Sequence, residues 1–337
     1  MPSRPEPRSW WLSELVARGN SGGRWNGTCS LVKRLRECAY AQGVPLFDRV
    51  VLIFNPQSTG EAQRRAEDLR RDLAQQAPDL VVELRPTEHA GHAEELARTV
   101  AQSGAPLVVS VSGDGGYNEV VNGVMQAGNE RAVATVLAAG NANDHRRATR
   151  ERPMAEAIAS GGVSLIDLLR FTADGPEGRV VRYAHSYIGL GLTPVVAVDL
   201  EKGGKGSLRE MVTVVRSFAK FRPFEIDTEN GSREIFDSLV FANIAQMAKV
   251  ATLAEDQGKP DDGMFEVITL RHTAKWRVLA TALKASTTGL GKQPSVRTYA
   301  FTTVTPLALQ VDGEVVELPK TTAVRVDIIP DALPTLL

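Results

Sequence analysis

The sequence predicts an α/β protein with two parts, an N-terminal Rossmann-like layer with a mostly parallel sheet and a C-terminal antiparallel domain resembling a β-sandwich. Short apolar runs alternate with amphipathic helical stretches from residue 49 to about residue 139. After about residue 161 the helical stretches fade, and apolar runs follow one another across Gly, Pro and Asp-Gly turns. Polar, glycine-bearing loops follow the N-terminal strands, at the end of the sheet where α/β proteins bind ligands.

Each element of the N-terminal half has its own pattern. Residues 50–54 form an apolar run that ends at Asn-Pro, which is typical of a strand followed by a loop. The helix predicted over residues 61–77 places its alanines and leucines on one face. Further strands are predicted at 80–84, 107–111 and 132–137, and further helices at 91–103 and 117–126. This alternation favours parallel pairing, with helices packed on the sheet.

The C-terminal half is predicted to consist mostly of antiparallel strands. One long helical stretch, residues 207–221, interrupts them. The strands are predicted at residues 164–171, 179–188, 224–227, 238–244, 264–270, 296–304, 308–311 and 323–329.

Composition excludes several classes of protein. The chain has 337 residues, of which 43% are hydrophobic, too many for a disordered chain. Its 39 Lys and Arg balance 40 Asp and Glu, which gives no sign of a nucleic-acid partner. Its two cysteines cannot form a disulfide scaffold. Since there is no apolar run of about 18 residues and no signal-peptide core, we expect a cytoplasmic protein.

The most informative segment is the glycine-rich stretch 111–123, which runs from the end of a predicted strand into a helix. Its glycines let the backbone approach a ligand and expose N–H groups, and the helix N-terminus favours phosphate. Asp114 stands among these donors, where a carboxylate suits a bound cation or a hydroxyl group. Alternatively, the stretch is an ordinary turn in which Asp114 caps the helix.

Two further loops support a nucleotide site. Residues 138–144 and 55–60 each follow a predicted strand and carry Gly together with amide or hydroxyl side chains. The three loops would meet at one edge of a doubly wound sheet. The P-loop pattern is absent, and the dinucleotide fingerprint fails because Asn118 stands where its last glycine belongs.

Together these loops resemble those of the diacylglycerol kinase catalytic-domain family, which includes bacterial lipid kinases, sphingosine kinases and ceramide kinases. Residues 55–60 resemble its NPxSG loop, 112–123 its GGDGTxNEVxNG segment, and 140–147 its GTxNDFAR segment. Residues 260–267 are similar to its DDGxLDV, and 311–314 contain its DGE. The similarity covers about residues 48–330, in order and at family-like spacing, and leaves residues 1–47 outside.

The resemblance implies ATP- and Mg²⁺-dependent phosphorylation of a lipid hydroxyl. Asp114 and Asp144 would bind Mg²⁺, and a second, structural Mg²⁺ would be held by Asp262 and the carbonyl groups of Lys259 and Met264. The nucleotide-contacting positions carried over from the family are Asn55, Ser58, Gly60, Thr87, Ser112, Gly113, Asp114, Gly115, Gly116, Tyr117, Asn118, Glu119, Asn122, Gly140, Asn141, Asn143 and Asp144.

The acceptor hydroxyl needs a base within hydrogen-bonding distance. The family resemblance favours Asp312 and Glu314, with Asp114 as the alternative base. From the residues alone, Asp-Gly-Glu is a hairpin turn.

Departures from the family pattern leave the activity open. Ser112 replaces the first glycine, as in sphingosine-kinase-like members, while Gly116 and Asn141 stand where bacterial members usually have Thr. Two alternatives therefore remain, an NAD-kinase-like small-molecule kinase and a catalytically lapsed nucleotide- or lipid-binding protein.

The domains that follow from these expectations are an N-terminal extension at 1–47, a nucleotide-binding α/β domain at 48–160 and a β-rich lipid-acceptor domain at 161–337.

Residues 202–222 carry six basic residues and one acidic residue. Such a stretch is usually a solvated helix face, but it could contact anionic lipid headgroups. We therefore expect peripheral membrane contact, and a homodimer is one option that the sequence leaves open.

Overall fold

The computed structural model describes residues 47–58, 61–139, 152–191, 223–244, 246–247, 251–252, 257–272 and 291–336. All of them belong to one contact unit, Pro45–Leu337. Within these ranges no helix is long and apolar enough to span a membrane.

The first sheet contains four parallel strands in the order β2-β1-β3-β4. These strands are β1 (Arg49–Phe54), β2 (Val81–Pro86), β3 (Pro106–Ser112) and β4 (Val133–Ala138). The helices of this half are α1 (Ala62–Gln76), α2 (His92–Ala101), α3 (Asp114–Ala127) and α4 (Met154–Ser160).

Side-chain alternation along β1 explains why both faces of this sheet are covered. Val50 and Leu52 share a core with α1 and α4, whereas Val51 and Ile53 share the other core with α2 and α3. Successive residues of a strand point to opposite faces, so a strand that is apolar at every position needs helices on both sides.

The second sheet is antiparallel and contains eleven strands among the residues that the structure describes. The main path runs β16-β15-β7-β9-β8-β14-β17-β5-β6, and β12 pairs with β9 and β13. The strands are β5 (Val163–Gly175), β6 (Gly178–Ala184), β7 (Tyr187–Gly191), β8 (Phe224–Thr228), β9 (Arg233–Ala242), β12 (Phe265–Arg271), β13 (Ser295–Val296), β14 (Thr298–Thr303), β15 (Leu307–Val311), β16 (Glu314–Leu318) and β17 (Ala323–Leu336). A separate short pair joins β10 (Gln246–Met247) to β11 (Ala251–Thr252).

The last strand connects the two sheets. β17 pairs with β5 from Ala323 to Ile329 and again from Leu333 to Leu336, with a register shift between the two stretches. Beyond that shift, Leu333 lies in the core shared by α2 and α3, and Leu336 lies in the core shared by α1 and α4. The end of β17 therefore completes the interior of the parallel layer.

The predicted fold class is confirmed, with corrections to several of its elements. The strand expected at 179–188 is interrupted at His185 and Ser186, whose backbone N–H groups bond to the Asp312 carboxylate. Helix α3 begins at Asp114 rather than residue 117, because the glycines of its first turn adopt helical geometry. Strand β16 and helix α4 were not predicted from their short patterns. The helix expected at 207–221 lies outside the described residues, and the domain boundaries remain a prediction.

Candidate functional site

A cavity of about 920 Å³ lies at the carboxyl ends of β1, β2 and β3. This is the edge at which the polar loops were expected to meet. The predicted nucleotide-contacting residues that line it are Asn55, Ser58, Thr87, Ser112, Gly113, Gly116 and Glu119. Gln57, Glu88, His89 and Ser110 also line it, although sequence reasoning did not select them.

The loop after β1 is shaped by Asn55. Its side-chain oxygen accepts the N–H of Gln57 at 2.8 Å, and its carbonyl oxygen accepts the N–H of Ser58 at 3.2 Å. The Ser58 hydroxyl is buried and has no hydrogen-bond partner within the described part of the chain. A buried polar atom without a partner costs free energy, so this hydroxyl suits a polar ligand in the cavity.

The loop after β2 is fixed by its backbone. The N–H of Thr87 donates to the carbonyl oxygen of Phe54 at 2.8 Å, which extends the pairing of β2 with β1 by one residue. The half-buried Thr87 side chain consequently stands at the cavity wall.

The glycine loop after β3 turns directly into α3. Gly113 is the residue before the helix, and the N–H of Tyr117 donates to its carbonyl oxygen at 3.1 Å, the first helical hydrogen bond. The N–H groups of the first helical turn have no partner within a helix, and they carry its positive dipole end. Since Gly113 and Gly116 line the cavity, this turn suits an anionic ligand there.

Ser112 and Gly116 fit each other. A methyl group built on Gly116 would lie 2.8 Å from both Cβ and Oγ of Ser112, which is too close for any real side chain. The Ser112 hydroxyl hydrogen-bonds Ser110 Oγ at 2.6 Å and donates to the carbonyl oxygen of Gly113 at 2.9 Å. In this structure Ser112 leaves no room for a side chain at position 116 unless one of the two residues shifts, so we expect the two departures from the family pattern to be coupled.

Glu119 brings an acidic group to the cavity wall. Burial raises the pKa of its carboxyl above the usual value, and the nearby Glu314 and Glu94 carboxylates raise it further. Hydrogen bonds from the backbone N–H groups of Ala93 and Gly91, at the start of α2, oppose this increase in pKa.

Three other residues of the same segment do not reach the cavity. The side chains of Tyr117, Asn118 and Asn122 are at most 1% exposed. Tyr117 packs against the His185 ring with centroids 4.6 Å apart, and both asparagines donate to the carbonyl oxygen of Tyr183 at the end of β6. In the structure these three side chains join α3 to the antiparallel sheet, and a contact of these residues with a nucleotide stays a prediction.

Asp312 lies at the centre of this junction, in the turn between β15 and β16. Its carboxylate is 2% exposed and accepts the backbone N–H groups of His185, Ser186 and Tyr187 at 2.7 to 3.3 Å. Asn118 Nδ2 donates to the same carboxylate at 3.0 Å. Burial raises the pKa of the Asp312 carboxyl, against the lowering effect of His185 and the three N–H groups.

The carboxylate of Asp312 is therefore saturated. A carboxylate has about four lone-pair positions, and four donors already use them. The structure agrees with the hairpin-turn interpretation of Asp-Gly-Glu, since this segment joins β15 to β16. The role of Asp312 or Glu314 as a base stays a prediction.

That contact involves the backbones of Gly115 and Gly313. A methyl group on Gly115 would lie 3.9 Å from the carbonyl oxygen of Asp312, and one on Gly313 would lie 3.9 Å from the Cα of Gly115. Two segments almost 200 residues apart in the sequence meet here.

Asp114 and Glu314 are the more accessible acidic groups of this region. Asp114 is half-buried in the first turn of α3 and makes no hydrogen bond or ion pair with the described residues. The Glu314 side chain is 41% exposed and lies 3.8 Å from Arg182, which is also 3.9 Å from Glu94.

The predicted structural metal segment forms a tight turn near β5. Asp262 Oδ1 accepts the N–H of Met264 at 2.9 Å, and Lys259 and Asp262 are both exposed. The buried carboxylate of Asp167 accepts the N–H groups of Gly263 and Asp331 at 2.7 and 2.8 Å. Asp167 stands alone in an apolar run, which is the signal that could have revealed it.

Burial raises the pKa of the Asp167 carboxyl. Metal binding at residues 259–264 remains a prediction. Five predicted site residues, Gly60, Gly140, Asn141, Asn143 and Asp144, and the basic stretch 202–222 lie outside the described residues.

Comparison with known proteins agrees with this arrangement. Residues 49–171 match the family model of the diacylglycerol kinase catalytic domain. A curated relative from Chromohalobacter salexigens, named "Probable lipid kinase YegS-like", is 25% identical over 212 residues. The match covers 58% of this chain and 63% of the relative, so it spans less than two thirds of that protein.

Solved structures share the fold. A protein from Bacillus anthracis strain Sterne that was proposed to be a diacylglycerol kinase superposes with a TM-score of 0.64 at 18% identity. A structure named as a diacylglycerol kinase from the same strain gives a TM-score of 0.60 at 16% identity. Each match covers 86% of this chain and 97% of the other.

Proposed function

We propose that this protein, whose residues 49–171 match the family model of the diacylglycerol kinase catalytic domain, is a lipid kinase that transfers a phosphoryl group from ATP to a lipid hydroxyl. Mg²⁺ would assist the transfer, and diacylglycerol represents the class of acceptor. The protein would act at a membrane surface, which it would contact peripherally from the cytoplasm.

The observation that carries this proposal is the meeting of two segments at Gly115. The glycine loop borders a cavity lined by seven of the expected nucleotide-contacting residues, and the turn after β15 lies against the same loop. Phosphoryl transfer depends on holding donor and acceptor in line and on neutralising oxygen charge. A cavity on one side of the loop and a second structural layer on the other suit this requirement.

The residues present fit a nucleotide with a divalent cation. The Ser58 hydroxyl, which has no partner among the residues that the structure describes, suits a phosphate oxygen, as do the N–H groups at the start of α3. The Asp114 carboxylate suits a hard cation. When bound, Mg²⁺ would neutralise negative charge that develops on the phosphate oxygens.

Within this proposal, Asp114 and Asp312 have different roles. A saturated, buried carboxylate cannot accept a substrate proton without giving up one of its four donors, so we assign Asp312 the role of positioning the turn. Asp114 is half-buried and makes no hydrogen bond or ion pair in the described part of the chain, so we assign it the contact with the acceptor hydroxyl or with the cation. This reverses the order of preference that the family resemblance suggested.

The test is to incubate the purified protein with labelled ATP, Mg²⁺ and a panel of diacylglycerol, phosphatidylglycerol, sphingosine and ceramide. Label in one of these lipids supports the proposal, and loss of that label in Asp114→Asn supports the role of Asp114. Label transferred to NAD instead would indicate an NAD-kinase-like enzyme. Bound ATP without transfer to any acceptor would indicate a lapsed nucleotide-binding protein.

A further inference from the structure

Three metal-ligating side chains converge at the rim of the cavity, outside the glycine loop. His89, His92 and Glu95 bring their ligand atoms within 4.8 Å of one another. The two imidazole rings stack with centroids 4.6 Å apart and planes 10° apart. We propose that these three residues bind one divalent transition-metal ion of the zinc class.

Local structure explains the convergence. His92 and Glu95 are three residues apart in the first turns of α2, so their side chains lie on one helix face, one turn apart. His89 lies in the turn that precedes the helix, and Gly91 allows this turn because it adopts a φ of 80°. The sequence repeats a ligand every third residue, at 89, 92 and 95, and the third ligand completes a set that two histidines alone do not form.

Hydrogen bonds define which nitrogen of His89 can bind a metal. His89 Nδ1 lies 3.0 Å from the carbonyl oxygen of Ala90, which can only accept, so Nδ1 carries the proton. The Nε2 lone pair of His89 is thereby available to a metal. A carbonyl group that orients a ligating histidine through its other nitrogen is a common feature of metal sites.

At His92, a bound metal would have to replace one existing hydrogen bond. Its Nδ1 accepts the backbone N–H of Glu88 at 3.0 Å. Glu88 is exposed, so water can take over this N–H when the metal takes the Nδ1 lone pair.

The donor set selects the metal. Two imidazole nitrogens and one carboxylate are typical ligands of Zn²⁺, Co²⁺ or Ni²⁺, whereas Mg²⁺ prefers oxygen ligands and retains its waters. Tetrahedral zinc with bond lengths of about 2.0–2.2 Å needs its ligand atoms roughly 3.4 Å apart. The separations of up to 4.8 Å would have to contract by about 1.4 Å, which exposed side chains such as His89 and Glu95 can do by small rotations. The fourth position would be open to water.

The site lies at the wall of the cavity, so a bound metal would affect that wall. His89 lines the cavity together with Thr87, Glu88 and Ala90. A metal held by His89 and by α2 would fix this segment to the helix, and would add positive charge beside the cavity wall. The site is separate from the carboxylates proposed to serve phosphoryl transfer, and its test needs no kinase activity.

The test is titration of the full-length protein with Zn²⁺ by calorimetry and with Co²⁺ by visible absorption. We expect one site per chain, with a Co²⁺ spectrum of nitrogen and oxygen ligands. His89→Ala, His92→Ala and Glu95→Gln should each weaken binding by about tenfold or more. The matched controls are His272→Ala, another exposed histidine, and Glu94→Gln, the neighbouring carboxylate, and both should bind as the unmodified protein does.

Two results would overturn the proposal. One is equal Zn²⁺ affinity and stoichiometry in the unmodified chain and the His89→Ala/His92→Ala double variant, which would locate the metal elsewhere. The other is the absence of Zn²⁺ binding at micromolar concentrations in the unmodified chain. Circular dichroism spectra that match the unmodified protein exclude unfolding as the cause of any loss.

Discussion

The two faces of α3 have opposite characters although both come from one glycine-rich segment. Gly116 and Glu119, together with Ser112 at the end of β3, face the cavity, where these groups are half-buried. Asn118 and Asn122 face the antiparallel sheet, where each side chain is at most 1% exposed and hydrogen-bonded. The ligand-facing positions are therefore three or four residues apart, and so are the sheet-facing ones.

This difference teaches that one family motif serves two physical purposes. Residues on the cavity face can interact with a ligand because solvent reaches them. Residues on the sheet face stabilise the position of the loop, because buried polar groups contribute only when every partner is present. Substitutions on the two faces should consequently change different properties, and the predictions below test this separation.

The largest effect is expected for Asp312→Asn. The amide group would place an NH₂ against backbone donors of His185, Ser186 and Tyr187, so one or two of these buried N–H groups would lose their acceptor. Each buried donor left unsatisfied costs about 1–3 kcal/mol, so we expect a loss of roughly 3–5 kcal/mol in the free energy of unfolding, measured by urea denaturation. Asp114→Asn is the control and should cost at most about 1 kcal/mol, the worth of a carboxylate near a helix N-terminus. Equal stability of the two variants would mean that the Asp312 carboxylate is not an anchor.

Asn122→Ala should cause the next largest loss in the free energy of unfolding. It leaves the N–H of Tyr183 and the side-chain oxygen of Asn118 without a buried partner, at a cost of roughly 2–3 kcal/mol by the same denaturation measurement. Thr87→Ala on the cavity wall provides the comparison, since no hydrogen bond of its side chain is present among the described residues, and its stability should change by less than about 0.5 kcal/mol. A large loss in Thr87→Ala with none in Asn122→Ala would reverse the assignment of the faces.

The fit between Ser112 and Gly116 can be tested by a double-mutant cycle. Gly116→Thr alone should lose roughly 1–3 kcal/mol of stability, because the new side chain overlaps Ser112. Combining it with Ser112→Gly should recover much of that loss, giving a coupling energy of about 1 kcal/mol or more. Gly115→Ala is the control, since its new methyl group would meet only the Asp312 carbonyl oxygen at 3.9 Å. Additive losses would show that the two positions are independent.

The smallest effect concerns pH. Burial raises the pKa of Glu119, so the folded state binds its proton more tightly than the unfolded state does. The ionised carboxylate therefore costs stability, and this cost appears as the pH rises from the ordinary glutamate pKa of about 4.3 through the raised value. Glu119→Gln should be more stable than the unmodified protein at neutral pH, and the gap should close as the pH falls. Melting temperatures across that range measure it, and a gap that widens in acid would contradict the raised pKa.

Patterns within short segments predicted much of this molecule. The alternation of strands and helices in the first layer and the loops that border the cavity followed from local periodicity and glycine placement. The interruption at His185 and Ser186 could not be predicted in this way, because its cause is a carboxylate 127 residues later in the chain. The two faces of α3 were missed for the same reason, since the motif does not tell which side another sheet will cover.

The end of β17 has a consequence for how the chain folds. Leu333 and Leu336 fill the two cores of the parallel layer, although the last strand of that layer ends at Ala138. During synthesis, almost 200 further residues must follow β4 before these two leucines can fill the cores of the parallel layer. Contacts of such sequence separation slow folding and prolong exposure of apolar surface. A chain cut at residue 160 would keep all four parallel strands, yet it would lack side chains that shield them from water.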